Sequence, residues 1–346
     1  MKHQTTRYGE IPFYKIGTFG NTADAFISKK LFLEYRTKYS LPKKGDILIS
    51  ASGTIGRAVI YDGKPAYFQD SNIVWIDNDE TLVKNDFLFY AYSNVKWNTE
   101  HTTILRLYND NFRNTLIPLP PLNEQIAIAN ILSALDRYLY TLDSLILKKE
   151  SVKKALSFEL LSQRKRLKGF NQAWQRVRLG DIANYLTSNL SVEQITQQGK
   201  IKVYDANNFI GYTDTTFISD KPYISIIKDG SVGRVRILPP KTNILSTMGA
   251  LIANHRTTTE FLFYLLSNFD FKNFTSGSII PHIYFKDYKE KTIFLPSLNE
   301  QIAIANILSA LDKEIASLKN KKRQFENIKK ALNHDLMSAK IRVLKK

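Results

Sequence analysis

A block of fifteen residues, LNEQIAIANILSALD, occurs twice in the chain without a change, at residues 122–136 and at residues 298–312. Chance does not produce an identity of this length. The period of 176 residues is far longer than the roughly 20 to 50 residues of solenoid repeats, so it indicates a duplicated domain together with the segment that follows it. We therefore expect two homologous halves, each with one variable domain and one nearly constant segment.

Weaker identity extends the repeat on both sides of this block. Downstream, KKAL occurs at residues 153–156 and again at residues 329–332. Upstream, residues 86–90 (DFLFY) match 260–264 (EFLFY), residues 53–57 (GTIGR) match 230–234 (GSVGR), and residues 26–28 (FIS) match 217–219 (FIS). The nearly constant segments predict one role that both copies share. The divergent domains predict recognition carried out twice, once by each domain.

The constant segments have the pattern of long helices. Pro120 and Pro121 end the preceding strand, Asn123 suits an N-cap, and Glu124 adds a favourable first-turn charge. Apolar residues then recur at alternating spacings of three and four, as in a coiled-coil seam. The predicted seam comprises Ile128, Ile131, Leu135, Leu139, Leu142, Ile146, Val152, Leu156 and Leu160 in the first copy, and Ile304, Ile307, Leu311, Ile315, Leu318, Phe325, Ile328, Leu332 and Leu336 in the second, with Lys149 and Lys322 as interruptions.

Each helix is predicted to extend over roughly forty residues, or about 60 Å. A pseudo-twofold relation between the halves predicts that the two helices pair antiparallel. The alternative is that each helix packs only on its own domain, which would leave much of its apolar stripe exposed.

The variable domains combine short strands with a few helices. Segments such as GDILISASG and IKVYDANNFIGY are rich in β-branched and aromatic residues, whereas residues 87–93 and 261–267 have helical periodicity. The expected fold class is α+β, with two α+β domains separated by two long helices that pair as an antiparallel coiled coil. The expected divisions are residues 1–118, 119–170, 171–295 and 296–346.

The charge of the chain favours a polyanionic partner. Its 49 lysines and arginines against 32 aspartates and glutamates give a net charge of +17, which favours nucleic acid first and an anionic membrane second. The alternative is a protein whose charge is incidental. No apolar run approaches the roughly 18 residues of a membrane span, and the opening MKHQTTRYGE is too polar for a signal peptide, so we expect a cytoplasmic location.

Sequence signatures of several enzyme classes, including DNA methyltransferases and ATP-driven enzymes, are missing from the sequence. There is no glycine-rich cofactor loop after a strand, no N-P-P-Y segment, no G-x-x-x-x-G-K-[ST] loop and no G-x-S-x-G elbow. The chain has no cysteine, and its five histidines are far apart without an H-E-x-x-H pair. We therefore expect no catalytic residue, no cofactor and no metal.

A glycine turn, G-[ST]-[IV]-G-R, occurs between strand-like segments in both domains. Its glycines allow a phosphate to approach the backbone closely, and its arginine can bind a phosphate or the O6 and N7 atoms of guanine. The predicted DNA contacts are Gly53, Thr54, Gly56 and Arg57 in the first domain, and Gly230, Ser231, Gly233 and Arg234 in the second. The alternative is a tight hairpin whose glycines serve only the turn.

A second candidate segment lies late in each domain. It comprises His101, Thr102, Thr103 and Arg106, followed by Tyr108, in the first domain, and Ser276, Ser278 and His282, followed by Tyr284, in the second. Short polar donors suit the wall of a DNA groove, where phosphate contacts set position and base-edge contacts set sequence. The alternative is a polar loop that leads into the next strand.

Over essentially its whole length the chain resembles the specificity subunits of type I restriction–modification systems. The resemblance rests on IPLPPLNEQIAIANIL and IFLPSLNEQIAIANIL at the two helix starts, and on WQRVRLGDI at residues 174–182. It implies two target recognition domains that each bind half of a split site in double-stranded DNA, with the helices fixing the gap between the halves. It also implies a non-catalytic subunit that docks two modification (methyltransferase) subunits, which methylate adenine, and assembles with restriction (translocase) subunits. The implied partner contacts are Asn123, Glu124, Gln125, Asn299, Glu300 and Gln301.

The start of the first domain departs from the repeat. About 25 residues, from Trp174 to Gly199, precede the stretch of the second domain that matches residues 8–17, and the first domain has no counterpart of them. We expect a shortened first domain, or one completed by residues 341–344 (IRVL), which weakly match residues 176–179 (RVRL). Two rival functions are a duplicated helical-rod scaffold without DNA recognition and an enzyme that acts alone on DNA.

Overall fold

The computed structural model describes residues 4–68, 72–97 and 106–344. The chain divides into two compact units. Unit 1 comprises Met1–Asp143 and Asn320–Lys346, and unit 2 comprises Ser144–Lys319. Each unit therefore combines one variable stretch with segments of both long helices.

The described residues of unit 1 form two three-stranded sheets. Its elements are β1 (Ile11–Tyr14), β2 (Ala25–Ile27), α1 (Lys29–Lys38), β3 (Ile47–Ser50), β4 (Ala58–Ile60), β5 (Tyr67–Phe68), β6 (Ile73–Ile76), α2 (Asn85–Tyr92) and α3 (Asn109–Arg113). In the first sheet β1 lies between β2, which is antiparallel to it, and β5, which is parallel. In the second, β3 lies between β4 and β6, both antiparallel.

Helix α4 (Leu122–Leu161) contributes residues to both units. The elements that follow it are β7 (Gln175–Arg178), β8 (Ala183–Thr187), β9 (Ile201–Tyr204), β10 (Phe209–Thr213), β11 (Tyr223–Ile227), β12 (Val235–Leu238), β13 (Thr242–Ile244), β14 (Met248–Ala253), α5 (Thr259–Ser267), β15 (Thr275–Ser276), β16 (His282–Ile283), α6 (Phe285–Tyr288), β17 (Thr292–Leu295) and α7 (Leu298–Met337). Unit 2 has a four-stranded sheet in the order β12-β11-β14-β8, a three-stranded sheet in the order β10-β9-β13, and the pairs β17-β7 and β15-β16. Both long helices have 40 residues.

The two units repeat the same strand topology. The order β4-β3-β6 in unit 1 corresponds to β12-β11-β14 in unit 2, and β2-β1-β5 corresponds to β10-β9-β13. The parallel pairing of β1 with β5 recurs between β9 and β13. The duplication predicted from the sequence is therefore confirmed in the backbone, together with the α+β fold class.

One short match in the sequence was wrong. Phe26 forms an isolated bridge with Thr6, and the equivalent bridge in unit 2 joins Tyr212 to Thr196. The counterpart of Phe26 is therefore Tyr212, and residues 217–219 lie beyond the end of β10. Three identical residues were too few to set the register across loops of different length.

The long helices pair antiparallel in each unit. In unit 1, Asp136 and Asp143 of α4 form ion pairs with Lys329 and Lys322 of α7, respectively. In unit 2, Lys149 of α4 pairs with Glu314 at 2.8 Å, and Lys153 pairs with Asp312. Residue numbers on α7 fall as those on α4 rise, which defines the antiparallel direction and rules out helices that pack only on their own domains.

The predicted seam needs correction at three positions. Seven of its residues are buried as expected: Ile128, Leu142, Ile146, Leu160, Ile304, Ile315 and Leu336. Ile131, Val152 and Ile328, in contrast, are 38%, 45% and 50% exposed. Phe87 and Tyr90 of the domain pack on α4 together with Leu132, which is fully buried, so near Ile131 the buried face lies one residue away from the predicted stripe. Lys149 and Lys322, which interrupt the stripe, make the ion pairs between the helices.

Candidate nucleic-acid interface

Both glycine turns connect adjacent antiparallel strands and have the same backbone geometry. In unit 1 the turn joins β3 to β4, and the amide of Gly56 donates to the carbonyl of Ser50 at 3.0 Å. In unit 2 it joins β11 to β12, and the amide of Gly233 donates to the carbonyl of Ile227 at 2.9 Å. All four turn glycines have a positive φ, between 68° and 85°, which other residues adopt only with strain.

The two glycines of each turn have different surroundings. A Cβ on Gly56 would lie 2.1 Å from Nε1 of Trp97, and one on Gly233 would lie 2.5 Å from Cδ2 of Phe271. An aromatic ring therefore packs directly on the second glycine. The first glycine is open, because nothing lies within 4 Å of a Cβ built on Gly230 and only Ile16, at 3.6 Å, approaches Gly53. The hairpin conformation accounts for all four glycines, while the absence of a packed side chain leaves room for a ligand at the first glycine of each turn.

Each turn ends in an exposed arginine that contacts an asparagine of another loop. Nη2 of Arg234 donates to Oδ1 of Asn207 at 2.9 Å, and Nη2 of Arg57 lies 3.4 Å from Oδ1 of Asn21. These asparagines lie between β9 and β10 and between β1 and β2, at matching places in the repeat. A guanidinium has five N–H donors, so one such bond orients the arginine and leaves most donors for a ligand.

The described part of the second candidate segment lies beside the glycine turn in both units. Arg106 forms an isolated bridge with Ser52, just before Gly53, and His282 forms one with Asp229, just before Gly230. Nη2 of Arg106 also donates to Oδ1 of Asn72 at 3.0 Å. The two motifs, which are some fifty residues apart in the chain, thus form one surface.

In unit 2 this surface includes a short hairpin. Nδ1 of His282 lies 2.7 Å from Oδ1 of Asp229, and the ring of Tyr284 lies 6.4 Å from that of His282. Ser276 and Ser278 are exposed on the other side of the hairpin. In unit 1, the predicted residues His101, Thr102 and Thr103 lie outside the described residues.

Sequence reasoning missed the basic and aromatic residues that extend this surface in unit 2. Nη1 of Arg236 donates to the carbonyl of Asn207 at 2.9 Å, and its guanidinium lies 5.2 Å from the ring centre of Tyr204. Nζ of Lys202 lies 5.9 Å from the ring centre of Phe209. No local motif joins these residues, since β9, β10 and β12 meet only in the fold.

The predicted partner contacts at the helix starts divide into exposed and buried side chains. Asn123 and Asn299 are exposed, whereas Glu124, Gln125, Glu300 and Gln301 are at most 2% exposed. Oε1 of Gln301 accepts from the amide of Thr258, the N-cap of α5, at 3.0 Å. Oε1 of Gln125 accepts from the amide of Lys84, the N-cap of α2, at 2.8 Å. Gln125 therefore attaches α4 to α2 in unit 1, and Gln301 attaches α7 to α5 in unit 2.

The two glutamates bind arginines within their own units. Nε of Arg166 donates to Oε1 of Glu300 at 3.0 Å, and Nε of Arg342 donates to Oε1 of Glu124 at 2.7 Å. Arg342 therefore holds the position of Arg166 in the repeat, so the weak match of residues 341–344 with residues 176–179 was wrong. Arg342 and the amide of Val343 lower the pKa of Glu124 below its usual value through hydrogen bonds and charge.

Within the described residues, none of the helices combines the length and apolar character needed to cross a membrane.

Comparison with known proteins gives a single family. Residues 1–149 and 171–327 match the family model of the type I restriction modification DNA specificity domain. A putative type I restriction enzyme specificity subunit of Haemophilus influenzae is 64% identical over 133 residues, which are 38% of this chain and 34% of that protein. The putative MjaX specificity subunit of Methanocaldococcus jannaschii is 29% identical over 339 residues, covering 86% of this chain and 79% of that protein.

The fold has a counterpart among solved structures. The S subunit of a type I restriction–modification system from M. genitalium aligns over 97% of this chain and 91% of its own length, with a TM-score of 0.63 and 21% identity. The family model matches both variable stretches separately, as expected from the internal duplication. The chain therefore belongs to the specificity subunits of type I restriction–modification systems and carries two copies of their DNA specificity domain.

Proposed function

We propose that this chain recognises a bipartite site in double-stranded DNA and directs adenine methylation and restriction, by partner subunits in the cytoplasm, to that site. Residues 1–118 and 171–295 serve as target recognition domains, and residues 119–170 and 296–346 serve as spacer helices. The chain itself performs no chemistry.

The observation that carries this proposal is the recurrence of one exposed arrangement with altered side chains. Each unit presents an open glycine, a hydroxyl residue and an arginine, Arg57 or Arg234, beside a second segment. The turn suits phosphate contacts, which position a protein without reading sequence. The second segment has Arg106 in one unit and His282 in the other, so the two units differ where base edges are read.

The charge supports DNA over the rival scaffold. A net charge of +17 attracts a phosphate backbone, and each neutralised phosphate makes the affinity more dependent on salt. In unit 2 the surface around the turn adds Lys202, Arg236 and the ring of Phe209, a combination that suits both phosphates and base faces. A scaffold that does not bind DNA has no need of such residues.

Partner docking is proposed for the exposed side of the two helix starts. Leu122 and Ile126 lie one turn apart on α4 and are 37% and 45% exposed. Their counterparts Leu298 and Ile302 on α7 are 44% and 46% exposed. Identical apolar residues with similar exposure suit two copies of one partner, and two modification subunits fit that requirement. Asn123 and Asn299 border these residues, while the neighbouring glutamates and glutamines act inside the chain.

The decisive experiment is to co-express the chain with its cognate modification subunit in a host that lacks the system and to map adenine methylation across the genome. We expect one motif of two short defined blocks around an undefined spacer of fixed length. The Arg234→Ala chain, expressed in the same host, tests whether unit 2 contributes to recognition. We expect less methylation at the motif in that host than with the wild-type chain.

Three results would contradict the proposal. A stable complex with no new methylation would favour an inactive or scaffolding protein, and turnover of DNA by the purified chain alone would favour an enzyme. DNA affinity that does not change between low and moderate salt would also exclude phosphate contacts.

A further inference from the structure

A short hairpin in unit 2 exposes two isoleucines at its tip. Strands β15 and β16 pair antiparallel, and residues 277–281, with the sequence GSIIP, join them. Ile279 is 92% exposed and Ile280 is 55% exposed, whereas Ile283, just after the loop, is 1% exposed. Hairpin loops are usually built from glycine, proline and short polar residues. The turn therefore does not itself require two adjacent isoleucines.

The backbone holds this tip in place beside the glycine turn. The amide of Gly230, the first glycine of the turn, donates to the carbonyl of Pro281 at 2.8 Å. Within the loop, Gly277 has a φ of 90°, and a Cβ built on it would lie 2.2 Å from the carbonyl oxygen of Ile280. The loop is therefore tightly folded, and the hydrogen bonds of unit 2 fix where Ile279 lies relative to the turn.

The base of the hairpin borders a basic cleft. Thr275 of β15, Gly233 and Arg234 of the turn, and Lys272 line one open cleft of about 460 Å³. Among the described residues that line this cleft, none is acidic. Two cations without a lining carboxylate complement a phosphate backbone. A phosphate backbone in this cleft would run past the hairpin and would bring the adjoining groove of the duplex to its tip.

An exposed isoleucine at this place has one apolar partner in the major groove of DNA. The major groove admits a two-stranded β-ribbon, and the base edges there present donors and acceptors together with the C5-methyl group of thymine. The minor groove has no such methyl group. Ile279 cannot form side-chain hydrogen bonds, so the thymine methyl is the group on a base edge that it complements.

We propose that Ile279 recognises a thymine by packing against its C5-methyl group in the major groove, and that it thereby determines one base of the block bound by unit 2. This inference rests on the proposed recognition of DNA. In the first half of the chain, Thr103 lies three residues before Arg106, as Ile279 lies three residues before His282. Thr103 is outside the described residues. The two halves thus differ in sequence at this position, as units that recognise different blocks require.

The test uses the full chain, assembled with its modification subunit, and duplexes with the motif that genome mapping identifies. Each thymine of the motif is replaced in turn by uracil, which pairs in the same way and lacks only the methyl group. For the wild type, we expect one replacement to weaken binding about fourfold, the effect of one buried methyl group. Ile279→Ala should remove the dependence on that position. Leu147→Ala, at a leucine of α4 that is 64% exposed, is the matched control and should retain it.

The outcomes separate this inference from the proposed function. If the wild-type complex does not prefer the motif to an unrelated duplex, both are contradicted. If it prefers the motif but no replacement weakens binding, or if the weakening persists in Ile279→Ala, only the recognition of thymine by Ile279 is overturned. A loss of affinity in Ile279→Ala that is equal for every duplex would indicate an apolar wedge between bases, and would also overturn it.

Discussion

The phenol of Tyr264 donates a hydrogen bond of 2.9 Å to Oδ2 of Asp312. Tyr264 lies on α5 and Asp312 on α7, so the bond fixes the domain of unit 2 to a long helix. Lys153 of α4 pairs with the same carboxylate. Tyr90, Asp136 and Lys329 repeat this set in unit 1. One carboxylate in each unit thus joins the domain to both helices of the pair.

Removing this phenol should destabilise unit 2. Tyr264→Phe leaves the ring and deletes the hydrogen bond, for an expected loss of about 1 to 2 kcal/mol in the free energy of unfolding. Chemical denaturation measures it, and Tyr284→Phe, at an exposed ring, is the control. The same substitution is also made in an Asp312→Asn background. If Tyr264→Phe lowers the free energy of unfolding there by as much as it does in the wild type, the two side chains are not coupled.

The glycine turns predict unequal effects of alanine at their two glycines. Gly233→Ala is expected to cost several kcal/mol, because its Cβ would lie 2.5 Å from the ring of Phe271 at a φ of 81° and both the packing and the backbone must change. The Cβ introduced by Gly230→Ala would have no atom within 4 Å. This variant should therefore lower the free energy of unfolding by only about 1 kcal/mol, through backbone strain. Thermal unfolding compares the two variants, and equal costs would show that the aromatic contact is unimportant.

The turn arginines should contribute to DNA affinity separately. With a duplex that carries the methylated motif, Arg234→Ala and Arg57→Ala are each expected to weaken binding by about 1 to 3 kcal/mol. A phosphate contact would also lower the slope of log affinity against log salt by about 1. Fluorescence anisotropy over a salt series provides both values. Wild-type affinity in both variants would exclude the turns from the interface.

The exposed apolar residues at the helix starts should be required for assembly. Ile126→Asp and Ile302→Asp place a charge at positions that are 45% and 46% exposed, so the chain should fold while each variant loses one copy of the modification subunit. Mass measurement of the complex by light scattering reports the stoichiometry. Leu147→Asp, at a leucine that is 64% exposed near the middle of the helix pair, serves as the comparison, and an unchanged complex mass in the Ile126→Asp and Ile302→Asp variants would place docking elsewhere.

The pair of Glu124 and Arg342 should make stability depend on pH. Arg342 lowers the pKa of Glu124 below 4.5, so the ionised carboxylate is favoured in the folded state. Its stabilisation is fully present above pH 4.5 and is lost as pH falls through the lower folded pKa. Arg342→Ala should therefore be more destabilising at neutral pH than at acidic pH in denaturation experiments. If the difference in the free energy of unfolding between the variant and the wild type stayed constant with pH, the pairing of Glu124 with Arg342 would be contradicted.

Much of the architecture followed from the sequence because identity and periodicity are local signals. The repeat of LNEQIAIANILSALD predicted a duplicated fold, and the three-and-four spacing after Asn123 predicted two helices of the observed 40 residues. The motif G-[ST]-[IV]-G-R predicted two equivalent turns, since positive φ at a hairpin requires glycine. These features depend on residues that are close together in the chain.

Contacts between distant residues were decided only by the tertiary structure. The sequence assigned Glu124 and Gln125 to a partner, yet burial against α2 and pairing with Arg342 give them roles inside the chain. It placed Ile131 in the seam, whereas the domain residues Phe87 and Tyr90 bury the neighbouring Leu132 instead. It also could not place Arg234 beside Asn207, nor show that, among the described strands, β6 is the last of a sheet that continues in the homologous unit. Periodicity fixes which side of an element is apolar, but the packing of all elements together decides what covers that side.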